Sequence, residues 1–135
     1  MRARISEMED RLSELRARLA LFTLQNPTWD ELRAFLKGDD TDERGTLCPI
    51  SAWRLRLRAR EKGWNMSYVL VNFWFLNDSK PVFVGHALNG IWLANGTWVW
   101  IEPSNDDVDQ DLESLLTRLV GAEPHFTLPG PIVIW

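Results

Sequence analysis

Along the first 22 residues the apolar positions form a helical seam: Ile5, Met8, Leu12, Leu15, Leu19 and Phe22 follow one another at spacings of 3, 4, 3, 4 and 3. This is a heptad pattern with these residues at a and d. The flanks are mostly charged (Arg4, Glu9, Arg11, Arg16, Arg18), as at the margins of a coiled coil. With only about two and a half heptads, such a helix is marginal by itself. It either packs on its own domain as an amphipathic helix or pairs with another chain through the seam. Asn26-Pro27 breaks the pattern, and Thr28-Trp29-Asp30-Glu31 is a capping box that starts a short helix over 29–37, closed by Gly38. Residues 39–46 carry five charges and no large apolar group, which predicts an exposed loop.

Two periods compete in the next segment. Trp53, Leu55, Leu57 and Ala59 alternate with Arg54, Arg56, Arg58 and Arg60 as a strand would, whereas Cys48, Ala52, Leu55 and Ala59 lie on one helical face. Pro49 suits the first turn of a helix and Gly63 supplies a stop, so the helix is preferred. Beyond Gly63 the pattern is β: stretches 66–75, 82–93 and 97–101 are rich in aromatic and branched residues. Residues 77–81 and Ala94-Asn95-Gly96 read as turns. Asp106 or Asp107 is positioned to cap a last helix whose apolar face is Val108, Leu112, Leu115, Leu116 and Leu119, ended by Gly121. Residues 132–135 suit an edge strand. The order predicts an α+β fold, in which a cysteine-bearing helix packs on an antiparallel sheet behind an N-terminal heptad helix. The division is residues 1–25 for that helix and 26–135 for the domain.

Composition narrows the function. The chain has 135 residues, a net charge of −4, one cysteine, two histidines and eight tryptophans. The acidic balance argues against nucleic-acid binding, so the arginine row reads as a solvated helix face. A single cysteine excludes a disulfide framework and a cysteine-rich zinc site, and no metal ligand set is expected. The absence of a signal-peptide core after Met1, and of an apolar run near membrane length, leads us to expect a cytoplasmic protein with no membrane partner.

That one cysteine, Cys48, falls in the first turn of a helix, where backbone N–H groups and the macrodipole favour a thiolate. His86, between Gly85 and Ala87 in a predicted strand, is the candidate base and acid, and Glu102 on the next strand the group to orient it. His125 is assigned no role. The hairpin supplies a geometric condition. A two-residue Asn95-Gly96 turn makes paired numbers sum to 191 and puts His86 and Glu102 on opposite faces. A three-residue Ala94-Asn95-Gly96 loop, with Gly96 left-handed, makes them sum to 190 and brings both to one face as diagonal neighbours. The catalytic reading requires the second. Taken singly, each residue has a plainer role: a buried small hydrophobe, a hydrogen-bonded core histidine and an exposed strand-end carboxylate.

The same order resembles the transglutaminase-like cysteine protease superfamily, whose fold is papain-like. The likeness runs over about residues 28–108. It rests on Phe35-Leu36-Lys37 with Asp40-Thr41-Asp42, then Cys48 with Ala52, Leu55, Ala59 and Gly63, then Tyr68-Val69, Gly85-His86-Ala87-Leu88-Asn89 and Trp100-Ile101-Glu102-Pro103. It implies Cys48 as nucleophile, His86 as base and acid, Glu102 as orienting carboxylate, acyl transfer through a thioester on a peptide or protein amide, and no cofactor. Pro49 stands where many members have an aromatic residue, and Glu102 where aspartate is common. The backbone N–H of Cys48 and a group within 42–47 are the candidate oxyanion donors. The competing expectations are a catalytically silent binding module of this fold that oligomerises through residues 5–22, and a carbohydrate- or peptide-binding surface of exposed tryptophans. In the 190 register Trp92 and Trp98 are cross-strand partners and Trp100 faces Gly90, which makes Trp92, Trp98 and Trp100 candidates to line a substrate cleft.

Overall fold

A computed structural model describes residues 2–22, 24–39 and 48–135, the side chains of residues 2–4, 17–22 and 48 excepted. Four helices and a six-stranded antiparallel sheet make an α+β fold among these residues. The helices are α1 (Arg2–Phe22), α2 (Trp29–Gly38), α3 (Cys48–Glu61) and α4 (Leu112–Val120). The strands are β1 (Ser67–Asn77), β2 (Lys80–Trp92), β3 (Trp98–Glu102), β4 (Asp107–Asp109), β5 (His125–Phe126) and β6 (Ile132–Ile134). Their order is β4-β3-β2-β1-β5, with β6 also on β1. No helix among the described residues is long and apolar enough to cross a membrane.

The local signals act as the chain pattern implies. Thr28 Oγ1 accepts from the Glu31 N–H at 3.2 Å while Glu31 Oε1 accepts from the Thr28 N–H at 3.0 Å, completing the capping box of α2. The α3 segment is helical despite its alternating arginines, because Ala52, Leu55 and Ala59 then share one fully buried stripe. Asp78 and Ser79, both at positive φ, make the tight turn between β1 and β2.

Each face of the sheet has its own core. On one side α2 and α3 set Leu32, Leu36, Leu55 and Ala59 against Trp64, Met66, Ile91, Leu93, Val99 and Ile101. On the other, α4 sets Leu112, Leu115 and Leu116 against Val69, Val71, Phe73 and Leu88. The split follows from strand alternation: odd positions of β2 face α3, even positions face α4.

Two expectations are corrected. Neither Asp106 nor Asp107 caps a helix: Asp107 begins β4, Val108 pairs with Ile101, and α4 starts only after Asp111. Arg118 on α4 then clamps Asp107 and Asp109, fixing this small strand to the helix. Asp39 does not belong to an exposed loop; it is buried and accepts from Arg58 Nη1 at 2.5 Å, tying the end of α2 to α3. His125 lies in a short strand on β1, where its ring stacks on Trp74 at 4.2 Å. The rest of the proposed loop, 40–46, lies outside the described residues.

Candidate functional site

The hairpin joining β2 and β3 has the three-residue loop. Trp92 pairs with Trp98, Ile91 with Val99, Gly90 with Trp100 and Asn89 with Ile101, so paired numbers sum to 190. Gly96 takes φ 84 and donates to the Leu93 carbonyl at 2.9 Å. A residue with Cβ would be strained there, which is why the register depends on a glycine at this place. As a consequence His86, Leu88, Trp98, Trp100 and Glu102 share one face of the sheet.

On that face the imidazole meets the carboxylate. His86 Nε2 lies 2.5 Å from Glu102 Oε2, with the two side chains 7% and 1% exposed. The second oxygen of Glu102 accepts from the Ser104 hydroxyl at 2.8 Å. Glu102 is therefore satisfied on both sides in a site closed to bulk water, which fixes the plane and direction of the imidazole. With Nε2 engaged, Nδ1 is the ring nitrogen left for another partner, and among the described residues no hydrogen bond to it occurs.

The sheet has a notch beside this ring. Pairing between β2 and β3 runs no further than Asn89 with Ile101, and after Glu102 the chain turns back so that the Asp106 N–H bonds the Glu102 carbonyl at 2.9 Å. Thus β1 flanks His86 through Val71, whereas among the described residues β3 does not pair with β2 there.

Asn89 positions α3 over the same stretch of β2, a role the sequence reading did not assign. It is fully buried, and its Nδ2 donates to the Ala52 carbonyl at 2.8 Å and to the Ser67 carbonyl at 3.0 Å. An asparagine between Leu88 and Gly90 in an otherwise apolar strand was the available signal, since a buried amide must find partners. Ala52 of α3 therefore lies over Asn89, on the face of the sheet opposite His86. Position 48 is one helical turn, roughly 6 Å, before Ala52. The Cys48 side chain and the segment 42–47 lie outside the described residues, so the structure joins His86 to Glu102 and leaves the third member unplaced. Asn89→Ala should lower unfolding free energy by about 2–3 kcal/mol, since two buried carbonyls lose their donor. Urea denaturation would measure it, and a loss below about 0.5 kcal/mol would contradict this anchoring role.

The tryptophans form a cluster farther along the same face. Trp98 is its hub, with ring centroids 5.1 Å from Trp92, 5.3 Å from Trp100 and 5.8 Å from Trp135, all edge-on. Trp100 packs into the α4 core, while Trp92 is half-exposed. Gly90 lies four residues from His86, so the cluster begins roughly 13 Å along the strand from the imidazole. The other tryptophans pack locally: Trp64 in the α2–α3 core beside Phe35, Trp53 against Tyr68, Trp29 beneath Arg33 and Trp74 on His125. No group of three or more potential metal ligands occurs among the described residues. In comparisons with known proteins, no family model, curated protein or solved structure matches the chain.

Proposed function

We propose that the protein is a small cysteine hydrolase or acyltransferase acting on amide bonds, with a transglutaminase-like arrangement of Cys48, His86 and Glu102. The observation that carries the reading is the buried His86–Glu102 pair, bonded through Nε2 and leaving Nδ1 open. A carboxylate that orients an imidazole, whose other nitrogen stays available, is the base-and-acid half of a nucleophilic site. In this reading the nucleophile stands in the first turn of α3, where backbone N–H groups favour a thiolate.

In this mechanism His86 Nδ1 takes the Cys48 thiol proton and the sulfur attacks the amide carbonyl carbon. The resulting oxyanion would accept from backbone N–H groups at the start of α3. As the C–N bond breaks, the imidazolium returns its proton to the departing amine, leaving a thioester. Water, or a second amine, then attacks the thioester carbonyl while His86 accepts its proton, and the thiol is regenerated with the acid or the new amide released. Glu102 holds the imidazolium during both steps and keeps the ring in its working orientation. Trp92 is the member of the aromatic cluster open to a substrate on this face.

Alkylation of Cys48 by iodoacetamide as a function of pH tests this reading. Labelling should be fast well below about pH 8.5, the range of an ordinary thiol. His86→Ala should slow it by roughly tenfold or more at neutral pH, since the stabilising imidazole is gone. Equal rates in both proteins, matching a free thiol, would reject the catalytic reading and leave a binding module of the same architecture.

A further inference from the structure

Arg56 departs from the solvated face that the arginine row of α3 suggests. It is 7% exposed, and Arg60, one turn on, is half-buried. Among the described residues neither guanidinium makes a hydrogen bond or an ion pair, and the Nε of each is buried without a partner. Arg56 stacks on the Trp53 ring, its Cζ 4.8 Å from the centroid. Trp53 in turn meets Tyr68 edge-on at 5.9 Å, so this flank of α3 faces β1. The surroundings hold no acid for either cation. Positions three and four residues from Arg56 are Ala52, Trp53, Ala59 and Arg60, so the helix offers a second cation where a carboxylate could pair. Glu61, the acid of α3, follows Arg60 directly and does not face it. β1 and β6 contain no Asp or Glu. The carboxylates of α1 lie within 7–14, where every residue is exposed. Burial, and after it the neighbouring Arg60, pull the Arg56 pKa below the ordinary arginine value. Arginine keeps its proton regardless, so the cost of hiding this charge stands until an anion offsets it.

We propose that Arg56 and Arg60 bind a phosphate group, as the free ion or on a small monoester, at the flank of α3 beside Trp53. A guanidinium is a planar fork suited to two oxygens of one oxyanion. Two of them on one flank supply two positive charges, which match a phosphate dianion better than a singly charged carboxylate. Trp53 is 46% exposed, so the flank reaches solvent beside the stacked guanidinium. Its ring holds the Arg56 fork before a ligand arrives, and little rotamer freedom is lost on binding. A net charge of −4 suits a single small anion, not a nucleic-acid backbone. The site is independent of Cys48.

Calorimetric titration of the full chain with inorganic phosphate, in low-salt buffer at about pH 8 where the dianion prevails, tests the site. Phosphate should bind with a Kd of about 1 mM or tighter, and acetate at equal ionic strength about tenfold more weakly or worse. Arg56→Lys keeps the charge but loses the fork, and should weaken phosphate roughly tenfold; Arg56→Met should abolish its binding. Arg54→Gln, on the other side of the helix, should leave it within about twofold. Urea unfolding without phosphate separates a binding role from a structural one. There Arg56→Met should be at least as stable as the parent, because a buried unpaired charge is gone. Glycerol 3-phosphate tells the two sources of the group apart, since a monoester site binds it at least as tightly as the free ion. A parent that binds no phosphate, or binds acetate equally well, would overturn the proposal. So would an Arg56→Met protein that still binds phosphate, or one less stable than the parent without it, since the side chain would then serve the fold through Trp53.

Discussion

Replacing Glu102 by alanine is expected to lower unfolding free energy by about 3–5 kcal/mol, because it strips a buried partner from His86 and leaves a cavity between β3 and the turn after it. Glu102 is 1% exposed and receives His86 on one oxygen and the Ser104 hydroxyl on the other, so no water stands ready to replace it. Glu102→Gln separates the structural role from the chemical one. Glutamine has the same length, its amide oxygen can accept from His86, and the Ser104 hydroxyl can rotate to accept from its NH₂. The variant should therefore retain stability to within about 1–2 kcal/mol. It should nonetheless lose most of the thiol activation, because a neutral amide does not stabilise an imidazolium. Urea titration and Cys48 alkylation on the same two variants read the roles independently. If glutamine labels as fast as glutamate, the carboxylate orients nothing that matters for sulfur. If alanine is as stable as the parent, the buried pair is not the support described.

The second large effect is expected at Gly90. A Cβ there would stand far inside contact distance of the Trp98 ring. Trp98 cannot easily withdraw, being held edge-on by Trp92, Trp100 and Trp135. The strand cannot move away either, because the Gly90 carbonyl accepts from the buried Ser67 hydroxyl at 2.7 Å and the residue is paired on both sides. Gly90→Ala should cost about 2–3 kcal/mol and Gly90→Val more, as overpacking against aromatic rings that have no free rotamer. Tryptophan fluorescence during thermal unfolding would report it, with a changed native spectrum if the rings splay. A Gly90→Ala protein as stable as the parent would mean that the cluster is loosely packed and free to open.

Much of the fold was legible because it is local. The capping box at Thr28, the left-handed glycines at 63, 96 and 121, and the apolar stripe of α3 act within one or two turns of chain, where backbone sterics and periodicity decide. The register of β2 on β3 was legible only as a choice between two. The structure takes the three-residue loop between Leu93 and Thr97, its last residue a glycine, which gives the sum of 190 and with it the shared face of His86 and Glu102. Val108 was misread for the opposite reason. Its spacing to Leu112 fits a helix face, but pairing with Ile101 across the sheet competed with helix formation and won. Likewise Asp39 has a polar, loop-like neighbourhood in sequence, and Arg58, nineteen residues away, helps to make its burial tolerable.

The sequence by itself determined most of the element types and the candidate trio of residue kinds and narrowed the hairpin to two registers, since each depends on turn chemistry or on the 2.0 and 3.6 periods. Only the tertiary structure decided what those residues touch. It brought Glu102 onto His86 Nε2, gave Asn89 the Ala52 carbonyl, ended β3 short of the histidine, and sent five tryptophans to packing positions that no local rule names. These contacts join segments tens of residues apart, whose meeting depends on which faces are buried against which helices. The same reason separates α1 from the rest: its heptad is written locally, and the fold leaves residues 5–16 of it in solvent.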